Sequence, residues 1–148
     1  MKYSFDLRGK KAIVTGGAGD IGFAIAETLH GHGAAVTIID LKKKEMPEEE
    51  AEGRFFSVEA DLLGRDNCRQ AYKKALELMG GVDILVNAAG IIRREDAENF
   101  SEKDWDEVLS LNLDTTFLFC QMAGRDMLGQ HSGRIINTAS MNAYDGGK

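Results

Sequence analysis

The chain has little of what would tie it to metals, disulfides, membranes or nucleic acid. Two cysteines, Cys68 and Cys120, stand alone in 148 residues, which excludes a disulfide framework and any cysteine metal spacing and makes them reduced packing thiols. The three histidines, His30, His32 and His131, have no partners at ligand spacing, so no metal is assigned. Positive charge is in deficit, with a net charge of −6 and a pI near 5.1. That balance argues against nucleic acid or an anionic membrane as partner. The basic triplet Lys42 to Lys44 is followed by Glu45, Glu48, Glu49 and Glu50 and reads as a solvated loop. No run approaches the ~18 apolar residues of a membrane span, and Met1 to Asp6 has no apolar core of signal-peptide length. The expectation is a cytoplasmic protein. A single proline, Pro47, leaves long segments free of breakers.

With 43% hydrophobic residues, what remains is an ordinary globular domain. Short apolar runs alternate with longer amphipathic ones, the pattern of a parallel sheet covered by helices on both faces. Strands are predicted at 11–15, 35–39, 54–58, 82–86 and 134–138, and helices at 20–31, 65–79 and 101–129, with a short one near 45–52. The fold class is α/β, a doubly wound parallel sheet of Rossmann type with strand order 3-2-1-4-5.

The chemistry concentrates after the first strand, where Thr15-Gly16-Gly17-Ala18-Gly19-Asp20-Ile21-Gly22 follows Ala12, Ile13 and Val14. Clustered glycines let backbone approach a pyrophosphate closely, and a helix starting near Asp20 aims free N–H groups at that anion. Asp20 reads as the helix N-cap, lending its backbone N–H to phosphate. The next apolar run, Val36 to Ile39, ends in Asp40, a carboxylate able to accept both hydroxyls of an adenosine ribose. Strand, glycine turn, helix, strand and terminal acid within one βαβ unit of about thirty residues indicate a dinucleotide site. Asp40, with no Arg or Lys inside the turn, favours NAD over NADP, because it would repel a 2′-phosphate.

The longest helix opens with a capping box from Ser101 to Asp104, flanked by Phe100 and Trp105 as a hydrophobic staple. As one continuous helix it places Trp105, Val108, Leu109, Asn112, Thr116, Phe119 and Ala123 on a core-facing stripe. Asn112 is then a buried amide needing partners, either a hydrogen bond to a neighbouring strand or an active-site role. Leu111 and Leu118 fall on the opposite side with Phe117 between, an apolar second face that points to a homo-oligomer formed through this helix.

Several stretches resemble the short-chain dehydrogenase/reductase family. Asn87-Ala88-Ala89-Gly90, closing Asp83 to Val86, is similar to the family's Asn-Asn-Ala-Gly. Thr15 to Gly22 resembles its cofactor turn, Asp61-Leu62 its adenine-contacting pair, Asn112 within Leu-Asn-Leu its structural and catalytic asparagine, and Ser140, closing Arg134 to Ala139, its catalytic serine. The spacing Thr15-Gly16-x-x-Gly19-x-x-Gly22 fits the extended branch of nucleotide-sugar epimerases and dehydratases, whereas the other stretches resemble the compact branch. The family's proton donor lies in Tyr-x-x-x-Lys. Tyr144 and Lys148 match that string, but Gly146 and Gly147 break the helix it needs, and Tyr144 stands only four residues beyond Ser140. The true pair is therefore expected beyond Lys148, making 1–148 the N-terminal, NAD-binding portion of a longer enzyme, inactive alone and with the later strands and helices missing.

The resemblance implies hydride transfer between NAD and a secondary hydroxyl or ketone. Ala89 to Ala97 and Phe100 to Trp105 resemble family members acting on sugar acids of the 2-deoxy-D-gluconate or 2-dehydro-3-deoxy-D-gluconate type. Arg93 or Arg94 would clamp the substrate carboxylate, or both would be loop charges paired with Glu95 and Asp96. Ser140 would bind the reacting hydroxyl and Asn112 a water, while Gly16, Gly19, Asp20, Ile21, Gly22, Asp40, Asp61, Leu62 and Asn87 to Gly90 would hold the cofactor. An epimerase of the extended branch and a non-catalytic nucleotide-binding module are the alternative readings.

Overall fold

The computed structural model describes residues 5–47 and 53–141. Five strands, β1 (Lys11–Thr15), β2 (Ala35–Asp40), β3 (Phe55–Glu59), β4 (Ile84–Asn87) and β5 (Arg134–Asn137), form one sheet. Their order is β3-β2-β1-β4-β5 and every pairing is parallel, as the sequence pattern predicts. Helix α1 (Asp20–Gly31) joins β1 to β2 and α2 (Arg65–Met79) joins β3 to β4. Between β4 and β5 run α3 (Glu102–Leu109), a π-helical turn (Ser110–Thr115) and α4 (Thr116–Gly129).

The strands are continuous apolar runs because both faces of the sheet are covered near its centre. Ile13, Ile39 and Leu85 pack with Ala71, Ala75, Leu118 and Phe119 under α2 and α4. Their alternate neighbours Ala12, Val14, Val36, Ile38 and Val86 pack with Ala26 of α1 on the opposite face. Two cores on two faces make the architecture doubly wound. At the margin, every residue of β5 is exposed, including Ile136 at 52%. Among the described residues β5 is the outermost strand beside β4, within the strand predicted at 134–138.

Three expectations are corrected. Residues 45–47 are not helical, and the rest of the segment near 45–52 lies outside the described residues. The N-cap of α1 is Gly19, not Asp20, and no side chain caps that helix.

The third correction concerns 101–129, which is not one helix. Ser101 does cap its start, its Oγ accepting from Asp104 N–H at 3.1 Å. The π-helical turn then inserts a residue, rotating everything after it by about 100°. Leu118, assigned to the outer face, is thereby buried beside Phe119 and Ala123, which lie in the core as predicted, while Asn112 on the turn itself and Trp105 (57% exposed) ahead of it lie outside the core. The cause is local. Thr115 Oγ1 lies 2.7 Å from the Leu62 carbonyl and 3.1 Å from that of Ser110, five residues back, and Ser110 Oγ donates to the Leu63 carbonyl at 2.8 Å.

Candidate functional site

The switch in strand order falls between β1 and β4, and doubly wound sheets bind ligands in the crevice outside the carboxyl ends of such strands. Gly16, the first residue past β1, has φ +67°, and a Cβ there would meet Ala89 N at 2.6 Å and the Ala88 carbonyl carbon at 2.7 Å. Only glycine lets the turn lie flat against the end of β4. That seal is hydrogen-bonded: Ala88 N–H donates to Thr15 O at 3.1 Å and Ala89 N–H to Thr15 Oγ1 at 3.3 Å. Gly22, buried in the first turn of α1, packs directly on the Gly16 carbonyl, leaving no room for a side chain. With Gly19 as an uncapping N-cap, the first-turn N–H groups of Asp20, Ile21 and Gly22 are left for an anion. The side chains of Asp20 and Ile21 are exposed, Ile21 at 74%.

Asp40 closes β2 beside this turn. Its Oδ2 accepts from Ala18 N–H at 3.0 Å and its Oδ1 from Lys42 N–H at 3.4 Å, so the carboxylate anchors the turn and still has lone pairs for a ribose. Beyond β3, exposed Asp61 accepts from Leu63 N–H at 3.0 Å. Leu62 is buried in the core, and its carbonyl is held by Thr115 and by the Cys68 thiol at 3.3 Å. Burial pushes the Cys68 thiol above its ordinary pKa, which keeps it a protonated packing group.

At the other end of the crevice, Asn87 is 2% exposed. Its Nδ2 donates to Asn137 Oδ1 at 2.8 Å, pairing the last residues of β4 and β5, and its Oδ1 is buried without a partner among the described residues. Thr138 continues this seam, its N–H and hydroxyl both reaching the Asn87 carbonyl, at 3.0 and 2.9 Å. Ser140, exposed two residues later, thus leaves the sheet at the same edge as Ala88 to Gly90.

Asn112 bonds neither to a strand nor into the core. Its Oδ1 accepts from Ile91 N–H at 2.8 Å and its Nδ2 donates to the Ile91 carbonyl at 2.9 Å, fixing the chain just past Gly90. Arg93 pairs with neither Glu95 nor Asp96; it reaches across to α3, 3.2 Å from Asp104 and 2.9 Å from Glu107. Arg94 is exposed and makes no ion pair among the described residues. Tyr144 and Lys148 lie outside the described residues.

The structure thus gathers Gly16, Gly19, Gly22, Asp40 and Asn87 to Gly90 around one crevice and hangs Asn112 and the arginine loop from its β4 side. Sequence reasoning placed Thr15 and Ala18 in the cofactor turn without giving either a task of its own and missed Asn137; all three hold the crevice walls together. Thr15 was readable as a hydroxyl closing an otherwise apolar strand, whereas Ala18 acts through its backbone and carries no side-chain signal.

A family model described as short chain dehydrogenase matches residues 10–148. The chain belongs to that family. It is 40% identical over 148 residues to the 2-dehydro-3-deoxy-D-gluconate 5-dehydrogenase of Dickeya dadantii, covering 97% of this chain and 58% of that protein. The enzyme of the same name from Escherichia coli matches with the same identity and coverage. A crystal structure from Beutenbergia cavernae, named as an NAD(P)-dependent gluconate 5-dehydrogenase with NADP bound at low occupancy, superposes with a TM-score of 0.88 at 38% identity, covering 99% of this chain and 60% of that one. The chain therefore spans somewhat over half the length of these relatives. No helix among the described residues is long and apolar enough to cross a membrane.

Proposed function

We propose that the crevice holds a nicotinamide dinucleotide, with NAD preferred, and that the protein belonging to this chain oxidises a secondary hydroxyl of a sugar acid, or reduces the matching ketone. The observation that carries this reading is the Gly16 turn, walled by the backbone of Ala88 and Ala89 and anchored to Asp40 through Ala18. Such a backbone cradle, with a carboxylate at its adenosine end, fits a dinucleotide and leaves no space for a bulkier wall. When bound, the dinucleotide supplies the carbon that takes up or delivers hydride.

Each part of the chain then has a task. The N–H groups of Asp20, Ile21 and Gly22 face the pyrophosphate, Asp40 accepts the ribose hydroxyls, Asp61 and the Leu62 backbone border the adenine, and Asn87 to Gly90 form the nicotinamide wall. Ser140 hydrogen-bonds the reacting hydroxyl. Asn112 commits an acceptor and a donor to Ile91, so its task is to position that wall. We assign residues 1–148 to the dinucleotide-binding unit, and the proton-transferring tyrosine and its lysine to sequence following Ser140.

The sugar-acid assignment rests on the named relatives and on Arg94. With Arg93 engaged by two carboxylates of α3, Arg94 is the cation left for a substrate carboxylate. We also place self-association on the exposed stripe Trp105, Leu109, Leu113 and Phe117, in place of Leu111 and Leu118, and the protein in the cytoplasm. The test is steady-state kinetics with NAD, comparing 2-dehydro-3-deoxy-D-gluconate type acids with neutral polyols. Arg94→Ala is expected to raise KM for the acid far more than for the polyol, and equal effects would remove the clamp. NAD binding with no turnover on any substrate would leave a nucleotide-binding module.

A further inference from the structure

The loop between β4 and α3 is held at two points. The first is Ile91, whose backbone N–H and carbonyl pair with the Asn112 side chain. The second is Arg93, whose guanidinium is engaged at all three nitrogens. Its Nε donates to Asp104 Oδ1 at 3.2 Å, its Nη2 to Glu107 Oε2 at 2.9 Å and its Nη1 to the Ile92 carbonyl of its own loop at 3.4 Å. Asp104 and Glu107 stand three residues apart in α3, which puts their carboxylates on one face of the helix. A planar guanidinium that spans both is fixed in orientation as well as in place.

The two carboxylates are themselves tied to the helix. Asp104 Oδ2 accepts from the Ser101 hydroxyl at 2.7 Å, the Asp104 N–H donates back to Ser101 Oγ at 3.1 Å, and Glu107 Oε1 lies 3.9 Å from the Lys103 ammonium. Arg93 thus fastens the loop to the capped start of α3. Its side chain is 41% exposed, and ion pairs so open to water add little to global stability. What the bridge fixes is local: the backbone from which the next side chain, exposed Arg94, departs.

We infer that Arg93, Asp104 and Glu107 are positioning residues for substrate selection, setting where Arg94 meets a substrate carboxylate without touching the substrate themselves. This rests on the sugar-acid reading of the site. Two adjacent arginines invite a shared task, but their surroundings divide them. The charge of Arg93 is met by two carboxylates, and leaving them for a substrate would strand both; Arg94 makes no ion pair among the described residues. A cation carried on an anchored backbone loses less freedom when it binds than one on a swinging loop. The anchored loop therefore favours the acid over a neutral polyol, and Glu107, distant in sequence from the arginines, becomes a determinant of that choice.

The test measures KM, with NAD and the protein as its source expresses it, for 2-deoxy-D-gluconate and for 2-deoxy-D-glucitol, which carries a hydroxymethyl group in place of the carboxylate. Glu107→Gln decides the sign, because it loosens the bridge and leaves the Ser101 cap alone. It is expected to raise the acid-to-polyol KM ratio about threefold. An unchanged ratio, or a lower one showing that the freed Arg93 binds the acid itself, would overturn the inference. Arg93→Ala is expected to raise the ratio about tenfold in the unmodified protein but less than about twofold in an Arg94→Ala background, since Arg93 acts through Arg94. An undiminished effect in that background would overturn the inference too, as would full restoration by Arg93→Lys, which keeps the charge but cannot span both carboxylates. If Arg94→Ala alone leaves the ratio unchanged, or neither compound is turned over, the sugar-acid reading fails and the inference with it.

Discussion

The side-chain amide of Asn112 pairs with both backbone polar groups of Ile91, Oδ1 accepting from its N–H at 2.8 Å and Nδ2 donating to its carbonyl at 2.9 Å. A residue on the π-helical turn thereby dictates where the chain runs as it leaves β4. The same turn holds the Leu62 and Leu63 carbonyls through Thr115 and Ser110. One irregular turn therefore braces the backbone beyond two strands, on either side of the crevice.

Replacing Asn112 by Ala removes two hydrogen bonds of about 1 kcal/mol each. The variant should lose about 1–2 kcal/mol in urea unfolding, and the Ile91 amide should exchange faster with solvent while the amides of β1 remain protected. Asn112→Asp keeps the acceptor but turns a carboxylate oxygen toward the Ile91 carbonyl, so it should not rescue. A protected Ile91 amide in Asn112→Ala would show that the segment is held by something else.

Gly16→Ala places a Cβ against the Ala88 and Ala89 backbone at a φ of +67°. The positive φ alone costs about 1–2 kcal/mol, and the turn must move off β4 to admit the methyl. The expected result is a folded protein with at least a tenfold loss of NADH affinity, measured by fluorescence titration. Undiminished affinity would mean that the close approach of Gly16 to β4 is not what the dinucleotide uses.

Thr37 is fully buried in β2 and its hydroxyl has no partner among the described residues. Valine has nearly the same shape and nothing to desolvate, so Thr37→Val should stabilise the protein by about 1 kcal/mol, read as a higher urea midpoint at constant slope. A destabilised variant would indicate an ordered water on that hydroxyl.

Tyr72 is buried against Phe119 and donates to Asp126 at 2.6 Å. Burial, with the Asp126 charge adding to it, pushes the phenol well above its ordinary value of 10.0. A group whose pKa is raised on folding stabilises fully below its unfolded value and loses that contribution as pH rises above it. The melting temperature should therefore fall as pH climbs beyond about 10, and less steeply in Tyr72→Phe. Parallel alkaline profiles for the two proteins would contradict the assignment.

The sheet was legible because its strands carry continuous apolar runs and its turn carries glycines that no other residue replaces. Strand β1 and helices α1 and α2 run over the residues that periodicity assigns. Legibility failed at 101–129, where periodicity assumes a constant 3.6 residues per turn and the Thr115 hydroxyl breaks that constancy. Leu118 was misassigned to the outer face of α4 for that reason, and Asn112 to the core, whereas Phe119 and Ala123 are buried as predicted. Arg93 was misread differently: Glu95 and Asp96 are its neighbours in sequence, but the capped start of α3 brings Asp104 and Glu107 to it in space.

The most direct test of the account is to add NADH to isotopically labelled protein and follow the backbone amides by NMR. The account predicts saturable shifts at Gly16, Ala18, Gly22, Asp40 and Ala88 to Gly90, with little change at α2 residues such as Lys73 on the outer surface. Binding that leaves those amides in place, or no binding at millimolar NADH, would contradict a dinucleotide site between β1 and β4.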